Sequence, residues 1–456
     1  MLVPSHLTIM TTSLITRLSL TLSLVYLCLL AACDQGSPEQ SNSSAEAMAQ
    51  TAYTTQQVAA TQRQVNYESE LESLNAAIES AIQLSAKQIH DGLLRLELVS
   101  LYVERARLTG NYDDYRQAES VLVDQEHRAG KSSQTSLPRA SLHYTLHRLK
   151  LASAALDEAP STADKTEVAG LRADIAFYSG RYKEAENTYR SLVNQVGISS
   201  QYIRLALLKN KMGSPGEAAA FLEAAEKRYH GVSATKKAWM KLQRGLIALD
   251  RGRFDEALAM YKLATDELPG WWLIDEHIAE IKSLTGDKEA AKTLYESVIR
   301  RTGSPEYMDA LATIEFNEGN REGARKLTQQ ARAVYEERLA RFPEAAAGHA
   351  LTHFLQDAGN PQRALSLAQM NFNTRPYGDA AIALARAWLL NGQANRAVSL
   401  LQHQLSSGWD TAELYWVLGE ALTNLGQQQQ ADQAKSEARR RNPESETMYS
   451  LKPFTL

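Results

Sequence analysis

The sequence contains almost no cysteine. Only Cys28 and Cys33 are present, and both lie within a short apolar run near the N-terminus. The rest of the chain therefore has no thiol for a disulfide framework, a Cys-ligated zinc site or a nucleophilic cysteine. Any catalytic or metal-binding role of this larger part would have to depend on other residue types.

Glycine and proline are also scarce, and neither sign of charge is in large excess. The 24 glycines and 12 prolines fall mostly at regular intervals, which is typical of an all-helical protein because both are unfavourable inside helices. The 49 basic and 53 acidic side chains give a net charge of −4, so binding to nucleic acid by phosphate neutralisation is not expected. At 456 residues the chain is longer than a single hydrophobic core usually accommodates, which favours several domains or an open-ended stack of repeats.

The sequence has none of the common catalytic or cofactor-binding motifs. It lacks the phosphate-binding GxxxxGK(S/T) loop, the zinc-binding HExxH, the GxSxG nucleophile turn and a GxGxxG between a strand and a helix. We therefore predict that the protein is not an enzyme and that it binds no cofactor.

A mostly apolar run near the N-terminus indicates export. Residues 18–32 follow Arg17 and are too few to span a bilayer, but they suit the core of a signal peptide. The run ends in Leu30-Ala31-Ala32-Cys33, which resembles the lipobox of bacterial lipoproteins. That resemblance implies cleavage before Cys33, acylation of its sulfur and a signal peptide within residues 1–33.

The surrounding residues extend this prediction. Asp34 follows the acylated position and resembles the inner-membrane retention signal of enterobacterial lipoproteins, which favours the inner over the outer membrane. Translation starts at Met1 or at Met10, which lies closer to the apolar run. The alternative interpretation is an uncleaved anchor, or an ordinary signal peptide with an unrelated Cys33. Residues 34–62 are polar without helical periodicity and are predicted to form a flexible linker.

The remaining chain carries a repeat of about 34 residues. At this period, a glycine followed five residues later by alanine recurs eight times, and the successive glycines are separated by 33, 39, 34, 33, 40, 33 and 34 residues. An earlier copy begins at Gly110 but has Tyr115 instead of alanine, and one degenerate unit is expected between Gly110 and Gly180. The eight pairs are Gly180 and Ala185, Gly213 and Ala218, Gly252 and Ala257, Gly286 and Ala291, Gly319 and Ala324, Gly359 and Ala364, Gly392 and Ala397, and Gly426 and Ala431.

The repeat predicts two antiparallel helices joined at the glycine. A small residue stands seven positions before each glycine from Gly180 onward, and Pro269, Pro376 and Pro443 each stand seventeen positions after theirs. The small residue and the alanine permit close approach of the helices, the glycine supplies the turn, and the proline ends the second helix. Two units are about six residues longer, near 230–235 and 333–343, where a second helix or a loop is expected to be extended.

This pattern resembles the tetratricopeptide repeat (TPR) family over roughly residues 90–443, although most copies lack the family's first-helix tryptophan. The resemblance implies an all-α, right-handed superhelical solenoid of nine to ten helix pairs with a concave groove. We assign residues 63–443 to the solenoid and residues 444–456 to a C-terminal tail, which either folds back on the last repeat or is loose.

The resemblance also predicts a binding groove. First-helix carboxylates, histidines and aromatic side chains are expected to line it, and they suit a basic or extended peptide; the alternative is that the charges merely solvate an exposed helix face. His349, His353 and Asp357 share one helix face at metal-binding spacing, but we expect a solvated face because further ligands are not evident. The predicted groove residues are Glu276, Glu280, Glu306, Asp309, Phe316, His349, His353, Glu413, Trp416 and Glu420.

We therefore predict a lipid-anchored scaffold that faces the periplasm and binds proteins or peptides through this groove, with no nucleic-acid partner. Such lipoproteins resemble accessory parts of envelope assembly, export and secretion complexes. One alternative is recognition of peptidoglycan or another glycan, with or without cleavage by paired carboxylates. Another is self-assembly of the solenoid. The adjacent Trp271 and Trp272 are predicted to pack between repeats rather than to bind a ligand.

Overall fold

The computed structural model describes residues 65–88, 92–129, 135–356 and 360–451, and every regular element within these ranges is an α-helix. The predicted lipobox and linker lie outside the described residues, as does Asp357. In chain order the helices are α1 Tyr67–Lys87, α2 Gly92–Thr109, α3 Tyr112–Ala129, α4 Ser136–Thr145, α5 Leu149–Asp157, α6 Lys165–Tyr178, α7 Tyr182–Gln195, α8 Ser199–Lys211, α9 Pro215–Arg228, α10 Ala234–Leu249, α11 Phe254–Glu267, α12 Trp272–Leu284, α13 Lys288–Thr302, α14 Pro305–Asn317, α15 Arg321–Arg341, α16 Pro343–Gln356, α17 Pro361–Thr374, α18 Gly378–Leu390, α19 Ala394–Ser406, α20 Ala412–Asn424, α21 Gln428–Arg441 and α22 Ser445–Tyr449.

The helices pack in consecutive pairs, from α2 with α3 to α20 with α21, and each pair also packs on the next. This arrangement confirms the predicted all-α solenoid. The repeat glycines adopt positive φ wherever the structure describes them, for example 76° at Gly180. The alanine five residues after each is fully buried, as at Ala185. Gly245 shows why small residues are needed, because a Cβ there would lie 2.3 Å from the Tyr261 ring.

The degenerate unit between Gly110 and Gly180 is a complete helix pair, α4 with α5. His147 takes the place of the glycine and adopts a φ of 60°. The alanines seven residues before it and five residues after it, Ala140 and Ala152, are fully buried like their counterparts in other repeats. The repeat is therefore continuous from Gly110 onward. The glycine pattern missed one copy because His147 occupies its turn position.

The two long units are accommodated differently. The first adds the loop between α9 and α10, where Val232 is exposed, whereas the second lengthens α15 to 21 residues. Helices α11, α17 and α21 each end two residues before the predicted proline. The tail folds back as the short helix α22, and Met448 and Tyr449 are buried.

Successive turns of the solenoid pack against one another. Hydrogen bonds join residues 163 to 228 positions apart, such as Trp271 to Leu108, Tyr182 to Gln404 and Arg375 to His147. At about 34 residues per repeat, these separations correspond to roughly five to seven repeats. The second half of the solenoid therefore contacts the first half.

The first helix of a repeat is buried far more than the second. Helix α12 buries ten of its thirteen residues, whereas its partner α13 buries three of fifteen. Helix α16 likewise buries eleven of fourteen residues. The first helices thus form a packed interior, and the second helices present one face to solvent.

Candidate functional site

The structure places most of the predicted groove residues in the interior. Seven of the ten residues are nearly inaccessible, at 2–4% exposure, because neighbouring helices cover the first helices. The expectation of an open surface at these positions therefore differs from the structure. The seven are Glu276, Glu280, Glu306, Asp309, His349, His353 and Trp416. Phe316, Glu413 and Glu420 are partly exposed.

On α12, the buried carboxylates flank a buried histidine. His277 Nε2 lies 3.1 Å from Glu276 Oε1, and His277 Nδ1 lies 3.7 Å from Glu280 Oε2. Burial raises the pKa of Glu276 well above its ordinary value, and the nearby charges of Glu280 and Glu306 raise it further. Glu276 therefore favours its protonated form, which carries no charge into the interior.

The next two first helices, α14 and α16, are joined by two carboxylate–imidazole contacts. His349 Nδ1 lies 3.3 Å from Glu306 Oε1, and His353 Nδ1 lies 2.9 Å from Asp309 Oδ1. Both histidines thus face carboxylates of α14 rather than an open groove. In the described part of the chain, no cluster of three or more His, Cys, Asp or Glu residues is arranged to hold a metal ion.

The pKa values of the two buried carboxylates of α14 shift in opposite directions. Burial opposes ionisation of Glu306, but the Arg338 guanidinium 3.2 Å away and the His349 imidazole lower its pKa to about 2. Burial raises the pKa of Asp309 in spite of its contact with His353. Glu306 is therefore a buried anion held by Arg338, a pairing that stabilises the interior only while both partners remain.

Glu413 and Glu420 lie on α20, where they share one arginine. Arg386 of α18 lies 3.3 Å from Glu413 Oε1 and 3.7 Å from Glu420 Oε2. The same guanidinium donates a 2.7 Å hydrogen bond to the main-chain carbonyl of Tyr449 in the tail. Trp416 donates its indole N–H to Glu420 at 3.1 Å. These contacts bind the tail helix to the first helices α18 and α20.

Phe316, the remaining predicted groove residue, lies at the end of α14. The guanidinium of Arg321 stands 5.5 Å from its ring centroid, within the range of a cation–π interaction. Phe316 is thus separated along the solenoid from Glu413 and Glu420. The ten predicted residues do not form one continuous surface.

A cleft of about 220 Å³ opens where two turns of the solenoid meet. Its walls come from the α8–α9 turn, the α10–α11 turn, the start of α18, the α19–α20 connection, the end of α21 and the tail. We call this the inter-turn cleft. Its lining residues are Asn210, Lys211, Gly213, Pro215, Asp250, Arg251, Asp379, Asp410, Thr411, Ala412, Glu413, Arg440, Arg441 and Tyr449.

Contacts between the turns hold the inter-turn cleft in shape. Lys211 Nζ lies 3.1 Å from Asp379 Oδ2, and its main-chain carbonyl accepts a 2.9 Å hydrogen bond from the amide of Asp410. Gly213 makes the approach possible, since a Cβ there would lie 2.3 Å from the Asp410 carboxylate. Burial raises the pKa of Asp379, while Lys211 lowers it. The ion pair between Lys211 and Asp379 therefore has access to little solvent.

The last repeat and the α10–α11 turn also line the cleft. Arg441 contacts Asp410 at 2.6 Å, and Arg440 contacts Glu437 at 2.8 Å. Asn210 donates a 2.8 Å hydrogen bond to the carboxylate of Asp250. Arg251 is partly buried at the cleft.

Of the predicted groove residues, only Glu413 lines the inter-turn cleft. The other lining residues lie mostly at turns and helix ends, and they meet because of contacts between repeats far apart in sequence. One local signal was available. Lys211 and the pair Asp250–Arg251 are charged residues placed one or two positions before a repeat glycine, where a short turn exposes them.

Comparison with known proteins finds likeness only among solved structures. No protein-family model and no curated protein matches the chain. The human IFIT1 dimer with PPP-AAAA shares 15% identity over 75% of this chain and 90% of that one, with a TM-score of 0.36. A tetratricopeptide repeat protein from Parabacteroides merdae shares 17% identity over 53% of this chain and 93% of that one, with a TM-score of 0.32.

A third similar structure is the Cut9–Hcn1 hetero-tetramer of APC/C, with 12% identity over 82% of this chain and 91% of that one and a TM-score of 0.31. The helix pairs, the positive-φ turn residues and the buried repeat alanines define the fold independently of these structures. The fold is a TPR-like helical solenoid.

Proposed function

We propose that the protein is a scaffold that binds other proteins or peptides and is anchored by lipid to the bacterial envelope, facing the periplasm. The observation that carries the proposal is the inter-turn cleft, a polar, preformed recess on a solenoid whose predicted groove residues are mostly committed to packing. Repeat solenoids of this type present extended surfaces that suit macromolecular partners.

The size of the cleft supports a protein partner over a small molecule. Sites for drug-sized ligands and cofactors have volumes of about 300–1,000 Å³ and are predominantly apolar. The inter-turn cleft has about 220 Å³ and is lined by eight charged side chains. It therefore suits one or two anchoring side chains of a larger partner, with the surrounding turns supplying the remaining contact area.

The membrane attachment is proposed from the sequence. Leu30-Ala31-Ala32-Cys33 provides the lipobox, and the polar segment 34–62 would separate the lipid from the solenoid. Two or three acyl chains hold a protein at a membrane firmly, whereas one does so only marginally. In the described ranges, no helix combines the length and hydropathy that crossing a bilayer requires. Asp34 favours retention at the inner membrane, and an envelope assembly, export or secretion complex is the proposed setting.

In-cell photo-crosslinking tests the scaffold function. A photoreactive amino acid replaces Arg440, an exposed lining residue of the cleft, and a control variant carries it at Leu263, an exposed residue outside the cleft. We expect one envelope protein to be recovered repeatedly from position 440 and not from position 263. The same products from both positions, or none from position 440 in a lipidated and folded protein, would exclude the cleft as the partner-binding surface.

A further inference from the structure

The charges around the inter-turn cleft are almost fully paired. Its carboxylates all have partners: Asp379 contacts Lys211, Asp410 contacts Arg441, Glu413 contacts Arg386, and Asp250 accepts from Asn210. Among its cations, Arg440 contacts Glu437 in addition to the pairs just named. The cleft therefore presents little unpaired negative charge to a ligand.

Arg251 is the exception. Within the described ranges its guanidinium has no ion pair or hydrogen bond, although it lines the cleft. Burial and the neighbouring Arg253 lower the pKa of Arg251, while Glu256 opposes them only in part. The guanidinium is thus a partly desolvated cation that forms no ion pair with Glu256 or with the carboxylates of the cleft. Such a group gains from an acceptor because guanidinium–carboxylate pairs are planar and bidentate.

The turn that carries Arg251 is held in place from the far end of the chain. Asn442 Nδ2 donates a 3.1 Å hydrogen bond to the carbonyl of Asp250, and its Oδ1 would lie 2.4 Å from a Cβ at Gly252. Gly252 has a φ of 70°, and the amide of Arg251 donates to the Ala248 carbonyl at 3.0 Å. The turn is therefore preorganised, which reduces the entropy lost when a ligand binds.

We infer that the inter-turn cleft binds a carboxylate of a protein partner and that Arg251 is the residue that holds it. The inference rests on the proposed scaffold function and adds the chemical class of the ligand. One unpaired cation matches a monoanion, and the volume of the cleft suits a single Asp or Glu side chain or a chain terminus. A dianionic phosphate would bring a second negative charge close to four carboxylates.

The test begins with selection of displayed random heptapeptides on the full chain, followed by titration of the selected peptides as synthetic peptides with amidated C-termini. We expect the selected sequences to be enriched in Asp or Glu. Arg251→Gln should weaken their binding by about tenfold to a hundredfold, the range for losing a hydrogen bond to a charged group. Replacing the peptide carboxylate by its amide should weaken binding to the wild type similarly, and should change binding to the variant little.

Arg253→Gln is the matched control. Arg253 lies two residues from Arg251, is half-exposed and pairs with Glu256 at 3.2 Å, so its loss removes one positive charge from the same turn without touching the cleft. Binding by this variant should stay within about twofold of the wild type. Equal losses in both variants would show a general charge effect and would overturn the inference. An unchanged thermal midpoint of Arg251→Gln establishes that the variant is folded.

Two further outcomes separate the inference from the scaffold function. Selection of neutral or basic peptides that still depend on cleft residues would overturn carboxylate recognition and leave the scaffold intact. Failure to select any peptide, together with no crosslinked partner, would contradict both. The same peptides are also titrated with free C-termini. If they bind more tightly than their amidated forms, and if internal Asp→Asn or Glu→Gln changes do not alter this binding, the chain terminus is the source of the carboxylate.

Discussion

The indole N–H of Trp272 donates a 2.9 Å hydrogen bond to the main-chain carbonyl of Leu108, a residue 164 positions earlier in the chain. Trp271 directs its own indole N–H to the same oxygen at 3.3 Å. Leu108 lies in the last turn of α2, where carbonyls have no partner within the helix. One turn of the solenoid thus satisfies the helix end of another.

This relationship predicts a difference between two tryptophans. Trp272→Phe should lower the free energy of unfolding by about 1 kcal/mol more than Trp239→Phe, because a hydrogen bond is lost only at Trp272. Trp239 is the matched control: it is fully buried too, and its Nε1 has no hydrogen-bond partner among the described residues. Urea denaturation of both variants measures the difference. Equal losses would mean that the contact with Leu108 contributes nothing beyond burial.

Close approach of the turns predicts unequal effects of two glycine substitutions. Gly180→Ala places a methyl group 2.8 Å from the carbonyl oxygen of Pro376, on the adjacent turn. At Gly392 the φ is similar, 69° against 76°, but nothing lies within 4 Å of the added carbon. Gly392→Ala should therefore cost about 1 kcal/mol for the left-handed conformation alone.

Gly180→Ala should lower the free energy of unfolding by at least about 1 kcal/mol more than Gly392→Ala does, because the backbone of the neighbouring turn must move. Thermal denaturation of both variants compares them. If the two alanine variants were equally stable, the turns would not be in contact at Pro376 in solution.

The buried carboxylates predict opposite pH dependences. The pKa of Glu276 is raised in the fold, so its contribution to stability is present below its unfolded pKa and is lost as the pH rises toward the folded value. The pKa of Glu306 is lowered to about 2, so its contribution is present above its unfolded pKa and is lost as the pH falls toward 2. The windows therefore lie on either side of an ordinary glutamate pKa, about 4.3.

Glutamine substitutions test these signs. Glu276→Gln should leave stability at pH 7 unchanged or raise it, since a neutral amide replaces a carboxyl that resists ionisation. Glu306→Gln should lower it by about 3–5 kcal/mol, because Arg338 would remain buried without its anion. Denaturant titrations at pH 3, pH 5 and pH 8 measure both effects. A loss of stability at pH 7 in Glu276→Gln as large as that in Glu306→Gln would contradict the assignment.

The proposed lipid anchor predicts the behaviour of Cys33→Ser. We expect the wild-type chain to incorporate an alkyne-labelled fatty acid and to enter the detergent phase on phase separation, and the variant to do neither. Cys28→Ser is the control, because it removes the other cysteine upstream of the proposed cleavage position. Labelling that persists in Cys33→Ser, or is lost equally in Cys28→Ser, would exclude acylation at Cys33.

Local sequence determined the repeat, the helix pairs and the turns. Within one helical hairpin, the glycine permits a turn with positive φ and the alanine five residues later permits close helix packing. Both features are present at every described copy of this pair. His147 escaped this pattern because a left-handed turn tolerates a non-glycine residue when surrounding contacts hold it: Arg375 lies 3.0 Å from its Nε2. Such contacts come from another turn and leave no local signal.

The site depended on tertiary structure. Charges on the first helices, such as Glu276 and Glu306, are equally compatible with a solvated face and with buried ion pairs, since periodicity records which face a residue occupies and not what covers that face. Side chains of the same and of neighbouring repeats cover it here, since Glu306 meets Arg338 and His349. The inter-turn cleft instead joins residues 168 and 192 positions apart, such as Lys211 with Asp379 and Asp250 with Asn442, and their meeting follows from small rotations summed over several repeats. The sequence by itself therefore determined the solenoid and its partition into repeats, whereas only the packing between repeats and between turns decided which charges are buried and where Arg251 meets the inter-turn cleft.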